Sequence, residues 1–193
     1  MRVIAGKAKG RQLKSPRGNV IRPMMDRVKG SLFDMLEAMG AVEGSRVLDL
    51  FAGTGALGIE ALSRGAVWAD FVDRSRACCR VIRENLAHTS FSERGRVHHH
   101  RAQDVLVNPA LLRQQGVSQT PRYDIILVTP PYAFPNTVPF LQELSNSTLP
   151  EGQAVVVVEH PKQLALPSSF DSLSLIKHRR YGETLLSIYR NEN

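Results

Sequence analysis

The sequence predicts a doubly wound α/β domain with a mostly parallel sheet, and two observations lead to this fold class. First, short apolar segments typical of strands alternate with segments of helical periodicity along most of the chain. Second, the segments 123–128 and 153–160 are almost continuously apolar, as strands covered on both faces are. Because strands separated by helices form right-handed βαβ units, a parallel sheet follows. The segment 171–190, with its turn at Tyr181-Gly182, predicts an antiparallel finish.

Five strands and four helices produce this alternation before the C-terminal hairpin. The strands are expected at 46–51, 68–73, 96–102, 123–128 and 153–160. The first helix follows from apolar residues on one face at helical spacing: Val28, Leu32, Met35, Leu36 and Met39. The second helix ends at Gly65, a typical C-cap residue. Two further helices begin at the N-cap residues Ser75 and Asn136 and are expected to end near 88 and 147.

Positive charge is concentrated at the start of the chain. The 193 residues carry a net charge of +7, from 25 Lys and Arg against 18 Asp and Glu. The first 29 residues hold the following basic side chains, opposed only by Asp26: Arg2, Lys7, Lys9, Arg11, Lys14, Arg17, Arg22, Arg27 and Lys29. Such a block binds polyanions through phosphate contacts, or is only a solvated, solubilising arm. Interleaved glycines favour an ordered hairpin, so we expect residues 1–26 to form a basic extension and residues 27–193 the main domain.

Composition argues against several other classes of protein. No apolar run approaches the roughly 20 residues that span a bilayer, and the basic N-terminus lacks the apolar core of a signal peptide. Cys78 and Cys79 are adjacent, a spacing that suits neither a disulfide framework nor a zinc site. His98, His99 and His100 would point to alternate faces of a strand, so we expect no metal site. The chain is expected to be a cytoplasmic monomer.

A glycine turn follows the first strand. The pattern Gly53-x-Gly55-x-x-Gly58 lies between a strand and a helix, which is the context of a nucleotide-binding turn. Asp73 lies 20 residues after Gly53, at the end of the next strand, where a carboxylate can accept two hydrogen bonds from a ribose diol. Taken alone, this pattern also fits a nicotinamide or flavin protein, or glycines that are needed only for packing.

Three further features favour a different nucleotide. Asp49 lies inside the first strand, where a buried carboxylate needs a cationic or donor partner. Asp104 follows the third strand, where it could accept from an adenine amino group. The segment 129–132, Thr-Pro-Pro-Tyr, ends the fourth strand because two prolines cannot continue a ladder. S-adenosylmethionine, a nucleoside that carries an amino acid, would use all three features, whereas a nicotinamide leaves Asp49 and the prolines unexplained.

Together these motifs resemble a known family. The segments "RPMMDRVKGSLFDML", "VLDLFAGTGALGIEALSRGA", "FVDRS", "TPPY" and "YGETLLSIYR" are similar to the RsmD family, and the resemblance covers nearly the whole chain. These are bacterial methyltransferases that act on guanine N2 of 16S ribosomal RNA. The resemblance implies a class I methyltransferase fold with a seven-stranded sheet and one antiparallel strand. It also implies these cofactor-binding residues: Asp49, Phe51, Gly53, Thr54, Gly55, Asp73, the adjacent Arg74, and Asp104.

The turn after the fourth strand is the predicted catalytic element. The exocyclic amine of guanine is a poor nucleophile, so catalysis needs acceptors that hold its N–H groups and aim its lone pair at the sulfonium methyl. The Pro130 carbonyl is one acceptor and the Thr129 side chain the other. Pro131 makes the turn rigid, and Tyr132 can stack on the base. Because the family usually carries Asp at position 129, and related amino-methyltransferases Asn, Thr129 predicts a slow but active enzyme.

The sequence thus predicts an S-adenosylmethionine-dependent enzyme that forms N2-methylguanosine in a partly or fully assembled small ribosomal subunit. The RNA would be held by Phe134 and by these basic residues: Arg2, Lys7, Lys9, Arg11, Lys14, Arg17, Arg22 and Arg27. Two alternatives remain open. One is another amino-methyltransferase, acting on adenine N6 or on protein glutamine, and the other is an RNA-binding module that keeps the fold without turnover. A nicotinamide oxidoreductase is a more distant alternative.

Overall fold

The computed structural model describes residues 1–16, 24–113 and 118–193 of the chain. Within these residues one sheet contains eight strands: β1 (Arg46–Leu50), β2 (Trp68–Val72), β3 (Gly95–His98), β4 (Tyr123–Val128), β5 (Pro150–Pro161), β6 (Ser169–Phe170), β7 (Leu173–Tyr181) and β8 (Thr184–Asn191). Their order across the sheet is β3-β2-β1-β4-β5-β8-β7-β6. None of the helices in the described ranges is long and apolar enough to cross a membrane.

The predicted doubly wound architecture is confirmed. β1 pairs in parallel with both β2 and β4, and the strand order reverses at this point. β8 pairs antiparallel with both β5 and β7, so the C-terminal hairpin completes the sheet as expected. In sheets of this type ligands bind at the carboxyl ends of the strands where the order reverses. The fold therefore places a candidate site at the ends of β1, β2 and β4.

The sheet has one strand more than the expected seven. The additional strand, β6, is two residues long and pairs with the start of β7. Asp171, with φ of 34°, lies in the turn between them. Phe170 is 3% exposed, and its ring centroid lies 5.5 Å from that of Tyr189 in an edge-on contact. Burial of one aromatic ring holds this short strand in place, and no sequence periodicity signals such an element.

Five α-helices of the described residues cover the sheet: α1 (Asp26–Ala38), α2 (Ala56–Ser63), α3 (Arg76–Thr89), α4 (Ala102–Val107) and α5 (Thr137–Ser145). Ser75 caps α3 as predicted, because its hydroxyl accepts a hydrogen bond from the Cys78 amide. The predicted strand 96–102 is wrong at its end, since β3 stops at His98 and Ala102 begins α4. Ala102 is buried in an apolar core together with side chains of α5. This tertiary packing outweighs the local strand propensity of the segment 96–102.

Apolar cores lie on both faces of the sheet. One contains buried side chains of α1, α2 and α3 together with the N-terminal segment of the chain. The other contains buried side chains of α4 and α5. Residues of β5 alternate between them, with Val155 and Val157 in the first core and Val156 and Val158 in the second. Coverage of both faces explains why the strands are such continuous apolar runs.

Residues 1–13 form the expected hairpin, called the N-terminal hairpin below. The Val3 amide donates to the Arg11 carbonyl at 3.0 Å, which pairs the two arms of the hairpin. Val3, Ala8 and Leu13 are buried in the first apolar core. The hairpin thus contributes to the packing of the chain, while the predicted division into an extension and a main domain stays a prediction.

A buried ionic cluster joins the N-terminal hairpin to two helices. Glu60 of α2 is fully buried and accepts from the amides of Ile4 and Ala5 at 2.8 and 3.0 Å. Lys29 of α1 is also fully buried; its ammonium donates to the Arg2 carbonyl at 2.6 Å and lies 3.5 Å from Glu60 Oε2. Burial lowers the pKa of Lys29, and the charge of Glu60 opposes that shift. Counting Lys29 among the surface cations was wrong, because the hairpin and α2 enclose it.

Candidate active site

A cavity of about 880 Å³ opens at the carboxyl ends of β1, β2 and β4. A cavity of this size accommodates a nucleotide-sized ligand. It is lined by nearly all residues predicted for the cofactor and for catalysis: Asp49, Phe51, Gly53, Thr54, Asp73, Arg74, Asp104, Thr129, Pro130, Pro131 and Tyr132. Gly55 is buried at the N-terminus of α2, next to this lining. The fold therefore brings together two groups of residues that lie far apart in the sequence.

The turn between β1 and α2 needs an unusual backbone. The φ angles are positive at Phe51 (63°), Gly53 (57°) and Gly55 (77°). Glycine adopts such angles without steric cost, whereas a residue such as phenylalanine requires its surroundings to hold it there. Rings of Phe134 and Phe140 provide this support, with centroids 5.2 and 5.4 Å from that of Phe51. Aromatic packing thus fixes the start of the turn.

Gly58, the third glycine of the motif, is required by close packing. A Cβ atom at this position would lie 2.3 Å from Cε1 of Phe71 on β2, so only glycine lets α2 approach the sheet this closely. The same close approach brings the Gly58 amide within 3.0 Å of Asp49 Oδ2, to which it donates. The motif therefore both shapes the turn and orients the strand carboxylate.

Asp49 is a buried acceptor with one oxygen unused. Its side chain is 1% exposed, and Oδ1 has no hydrogen-bond partner among the described residues. Burial raises the pKa of Asp49 to about 7; the Gly58 amide opposes this rise and the charge of Asp73 adds to it. Because a buried carboxylate is costly without a cationic partner, an oxygen left free at a cavity fits a ligand with an ammonium group.

Asp73, at the end of β2, is held in one orientation by backbone donors. Its Oδ2 accepts from the Gly53 amide and its Oδ1 from the Ser75 amide, both at 2.8 Å. Each carboxylate oxygen keeps a further lone pair, which is what a ribose diol would use. Arg74 and Asp104 are exposed residues that also line the cavity. The cavity therefore presents carboxylates at the places where a nucleoside with an amino-acid tail needs acceptors.

The segment 129–135 lines the cavity from the end of β4. The ladder of β4 ends at Val128, paired with Val158, so the Pro130 carbonyl lies beyond the last ladder pair. The Pro131 carbonyl accepts from the Phe134 amide at 2.8 Å and closes a tight turn. Thr129 is partly buried at the head of this turn. A rigid, neutral turn follows β4 directly at the cavity, as the double proline predicts.

Tyr132 and Phe134 differ in their surroundings. Tyr132 is 40% exposed, and its hydroxyl forms a hydrogen bond with the Thr184 hydroxyl of β8. The ring of Phe134 packs against Phe51 and Phe140, so it supports the cavity wall besides lining the cavity. The predicted contact of Phe134 with RNA stays a prediction.

The basic residues predicted to hold RNA fall into three groups. Exposed residues without a salt bridge to the described part of the chain are Lys7, Lys9 and Arg27. Residues with partners in the chain are Arg2 with Asp26 at 3.4 Å, Lys14 with Glu84 at 2.8 Å, and Arg11 with Ser90 Oγ at 3.2 Å. Arg17 and Arg22 lie outside the described residues. The basic block is therefore only partly available to a polyanion.

Sequence reasoning missed several residues that line the cavity, among them Lys29, Glu159 and Thr184. Thr184 belongs to the motif "YGETLL", which supported the family resemblance but had no assigned role. Glu159 lies on β5, which pairs with both β4 and β8, and Lys29 lies on α1, whose first turn lines the cavity. For these two residues the sequence carries no local signal.

The chain is similar to proteins of one family over nearly its whole length. The family model described as "Conserved hypothetical protein 95" matches residues 1–190. "Putative rRNA methyltransferase YlbH" from Bacillus subtilis is 35% identical over 190 residues, 98% of each chain. "Ribosomal RNA small subunit methyltransferase D" from Escherichia coli K12 is 32% identical over 195 residues, covering 100% of this chain and 90% of the relative. A solved structure of a hypothetical protein from Thermus thermophilus is 33% identical, has a TM-score of 0.80, and is matched over 97% of this chain and 98% of that one.

Matches of this length and identity extend over the glycine turn, the Thr-Pro-Pro-Tyr segment and the C-terminal hairpin alike. The chain therefore belongs to the "Conserved hypothetical protein 95" family, which is the RsmD family that its motifs resemble.

Proposed function

We propose that the chain transfers the methyl group of S-adenosylmethionine to the exocyclic N2 amine of a guanine in 16S ribosomal RNA. The names of its relatives support rRNA methylation by an S-adenosylmethionine-dependent enzyme. The observation that carries the proposal is the pairing of two features in one cavity. Asp49, with an unpartnered buried oxygen, and the turn that begins at Thr129 line it from the adjacent strands β1 and β4. One side can hold a charged cofactor and the other a neutral amine.

The cofactor would be held by three carboxylates. Asp49 would accept from the ammonium of its amino-acid part, Asp73 from the ribose hydroxyls, and Asp104 from the adenine amino group. Gly53 and Gly55 allow the positive φ angles of the turn, and Gly53 lines the cavity, so the turn would bring backbone close to the ligand. When bound, the cofactor supplies an electrophilic methyl group on a sulfonium, which is a good leaving group.

The target amine would be held by the turn after β4. Thr129 Oγ1 and the Pro130 carbonyl would accept its N–H groups and so aim its lone pair into the cavity. On transfer the amine would form its bond to the methyl group and release one proton to water. The two prolines remove backbone freedom, so little entropy is lost when the amine is positioned. Tyr132, tied to Thr184, offers an aromatic ring at the mouth on which a base can stack.

The substrate would be a partly or fully assembled small ribosomal subunit. The chain would act on it as a monomer in the cytoplasm. The small subunit is named in the description of the Escherichia coli relative. RNA contacts are proposed for Phe134 and for these basic residues: Arg2, Lys7, Lys9, Arg11, Lys14, Arg17, Arg22 and Arg27. Among these, Lys7, Lys9 and Arg27 are exposed and without a salt bridge to described residues, which supports their role.

A second function is favoured by one observation, the threonine at position 129. Its hydroxyl is neutral and shorter than the carboxylate that the family usually carries there. An RNA-binding module with little or no turnover would not need the stronger acceptor, so a threonine at this position would not impair it. Another amino-methyltransferase activity, on adenine N6 or on glutamine, would use the same kind of turn.

The test is methyl transfer from tritiated S-adenosylmethionine to small subunits from cells that lack the gene for this chain. The products are digested to nucleosides and amino acids. We expect label in N2-methylguanosine and in no other product. Label in N6-methyladenosine or methylglutamine would favour another amino-methyltransferase. Cofactor binding without transfer would favour the RNA-binding module. Free 16S rRNA in a parallel reaction separates naked RNA from assembled subunits as the substrate.

A further inference from the structure

We propose that the outer edge of β7 is a second RNA-binding surface, in which Lys177 and Arg179 contact phosphates. The inference rests on the proposed function, because it assigns a second contact surface to the same rRNA substrate. Residues 176–181 read Ile-Lys-His-Arg-Arg-Tyr and contain no carboxylate. In the sequence this segment lies far from the basic block at the start of the chain, to which RNA binding was assigned.

The edge of β7 is open over this segment. β7 pairs with β8 along its whole length but with β6 only at Leu173 and Ser174. Among the described residues, no strand pairs with its outer side from 176 to 181. His178, Arg179 and Arg180 are exposed. A partner that approaches this edge therefore meets cationic side chains.

Register with β8 determines which cations share a face. Lys177 lies opposite Ile188, and Arg179 lies opposite Leu186. Both partners belong to the apolar core that contains α1. Because directly opposed residues of antiparallel strands point to the same face, Lys177 and Arg179 lie on the α1 side of the sheet. They are two residues apart, about 7 Å along the strand, which is comparable with the spacing of neighbouring phosphates in a nucleic-acid strand.

A third cation, Arg27 of α1, extends this pair toward the cavity. Tyr181, at the end of β7, has its hydroxyl 2.5 Å from Ser31 Oγ of α1. Arg27 is one helical turn before Ser31 and therefore on the same side of the helix. The start of α1 reaches the cavity, since Val28 lines it. Lys177, Arg179 and Arg27 thus form a line, called the β7 track, from the sheet edge to the cavity mouth.

The cations of the β7 track are not neutralised. None of the three forms a salt bridge with a residue that the structure describes. Nearby carboxylates are already engaged: Glu183 pairs with Lys162 at 2.7 Å, and Asp34 and Glu37 of α1 pair with Arg64 at 2.9 and 2.8 Å. An unneutralised line of cations attracts the phosphates of RNA and gains from counterion release. By contrast, Arg2 and Lys14 of the N-terminal segment each have a carboxylate partner.

The test compares the unchanged chain with the double variant Lys177→Gln/Arg179→Gln. A matched control, Arg80→Gln/Arg83→Gln, removes two charges from α3, near the β3 edge of the sheet. Binding to small subunits from cells that lack the gene is measured by filter retention at several salt concentrations. Methyl transfer and S-adenosylmethionine affinity are measured separately.

We expect the β7 double variant to bind subunits about tenfold more weakly at 0.1 M salt. The negative slope of log K against log salt should become less steep by roughly 1.4 to 1.8, the value for two phosphate contacts. Transfer rate at saturating subunits and cofactor affinity should not change, and the control should match the unchanged chain. An equal loss in the control would overturn the proposal, because net charge alone would explain it.

Two other results would also contradict the β7 track. One is unchanged binding and salt slope in the double variant. The other is self-association with unchanged RNA affinity, which would mean that the cations only protect an open sheet edge from pairing. Failure of the proposed function is seen separately, as absence of methyl transfer by the unchanged chain. RNA binding still reports on the β7 track in that case.

Discussion

Two walls of the same cavity are held by different forces. The cofactor wall, comprising Asp49, the turn 51–55 and Asp73, is fixed by backbone amides that donate to two carboxylates at 2.8 to 3.0 Å. The target wall, residues 129–135, is fixed by two prolines, by packing of the Phe134 ring and by the hydroxyl contact from Tyr132 to β8. One wall is polar and charged, whereas the other is rigid and largely neutral.

This difference predicts a separate role for each wall in binding and catalysis. Fixed carboxylates provide strong, charge-assisted hydrogen bonds, so the cofactor wall should determine affinity. A rigid neutral turn adds little binding energy but places the reacting amine, so the target wall should determine rate. Changes in the two walls should therefore affect different measured quantities.

The largest expected effect is at Asp73 of the cofactor wall. Asp73→Ala removes the proposed acceptor of the ribose hydroxyls and should weaken S-adenosylmethionine binding by about 2–4 kcal/mol, roughly 30-fold to 1,000-fold. Single-turnover transfer at saturating cofactor should change much less. Isothermal titration calorimetry measures the affinity, with Asp73→Asn as a control that keeps the shape. Tight NADH binding with no S-adenosylmethionine binding by the unchanged chain would refute the cofactor assignment.

A smaller effect is expected from pH. The pKa of Asp49 is about 7 in the ligand-free chain, and an ammonium ligand requires the ionised carboxylate. Affinity for S-adenosylmethionine should therefore fall by up to about tenfold per pH unit below pH 7. Asp49→Asn should bind weakly at every pH. A parent chain whose affinity does not change between pH 5.5 and 8 would contradict this role of Asp49.

The same group makes a linked prediction for stability. The pKa of Asp49 is raised in the folded chain from an ordinary 3.8, so the fold disfavours its ionised form. The resulting loss of stability is absent below pH 3.8, grows as pH rises toward 7, and stays constant above. Thermal melting of the ligand-free chain should show that Asp49→Asn gains stability relative to the parent between pH 5 and 8. Saturating cofactor should remove this advantage.

The smallest expected effect is at the edge of the target wall. Tyr132→Phe removes the hydrogen bond to Thr184 but keeps the ring, at a cost of about 0.5–1.5 kcal/mol. We expect a twofold to tenfold slower transfer with unchanged cofactor affinity, measured in single-turnover reactions. Thr184→Val, which removes the same bond from the other side, should match it. A change in cofactor affinity in either variant would mean that the two walls are not independent.

Much of the cofactor wall could be predicted because its signals are local. Gly53 and Gly55 lie in one turn, and Asp73 follows the next strand, so short-range geometry fixes their relation. Thr129 could be placed for the same reason, because the two prolines that follow it cannot pair in a strand ladder and therefore end β4. The parallel sheet then brings these strand ends to one edge.

What could not be predicted depends on contacts between distant segments. Lys29 belongs to a basic run, yet it is buried because Glu60 and the Arg2 carbonyl meet it from other elements. Phe134 has the sequence context of an exposed ring, yet packing against Phe51 holds it in a wall. The open edge of β7 likewise appears only when the strand order is known. Hydrophobic periodicity in the sequence does not show which distant segments will be in contact.

The division of work between the walls is tested most directly at Thr129. Its neutral hydroxyl can accept one N–H of the target amine but polarises it less than a carboxylate does. Because one such hydrogen bond is worth about 1–3 kcal/mol, the deficit is roughly tenfold to a hundredfold in rate. The measurement is single-turnover methyl transfer to unmethylated small subunits by the parent, Thr129→Asp and Thr129→Ala, with cofactor affinity determined for each.

We expect Thr129→Asp to be faster than the parent and Thr129→Ala slower, with the same cofactor affinity in all three. A parent without transfer, restored by Thr129→Asp, would identify the natural threonine as the mark of an inactive, RNA-binding form. Equal rates in all three, or a cofactor affinity that follows residue 129, would contradict the division between a wall that binds and a wall that positions.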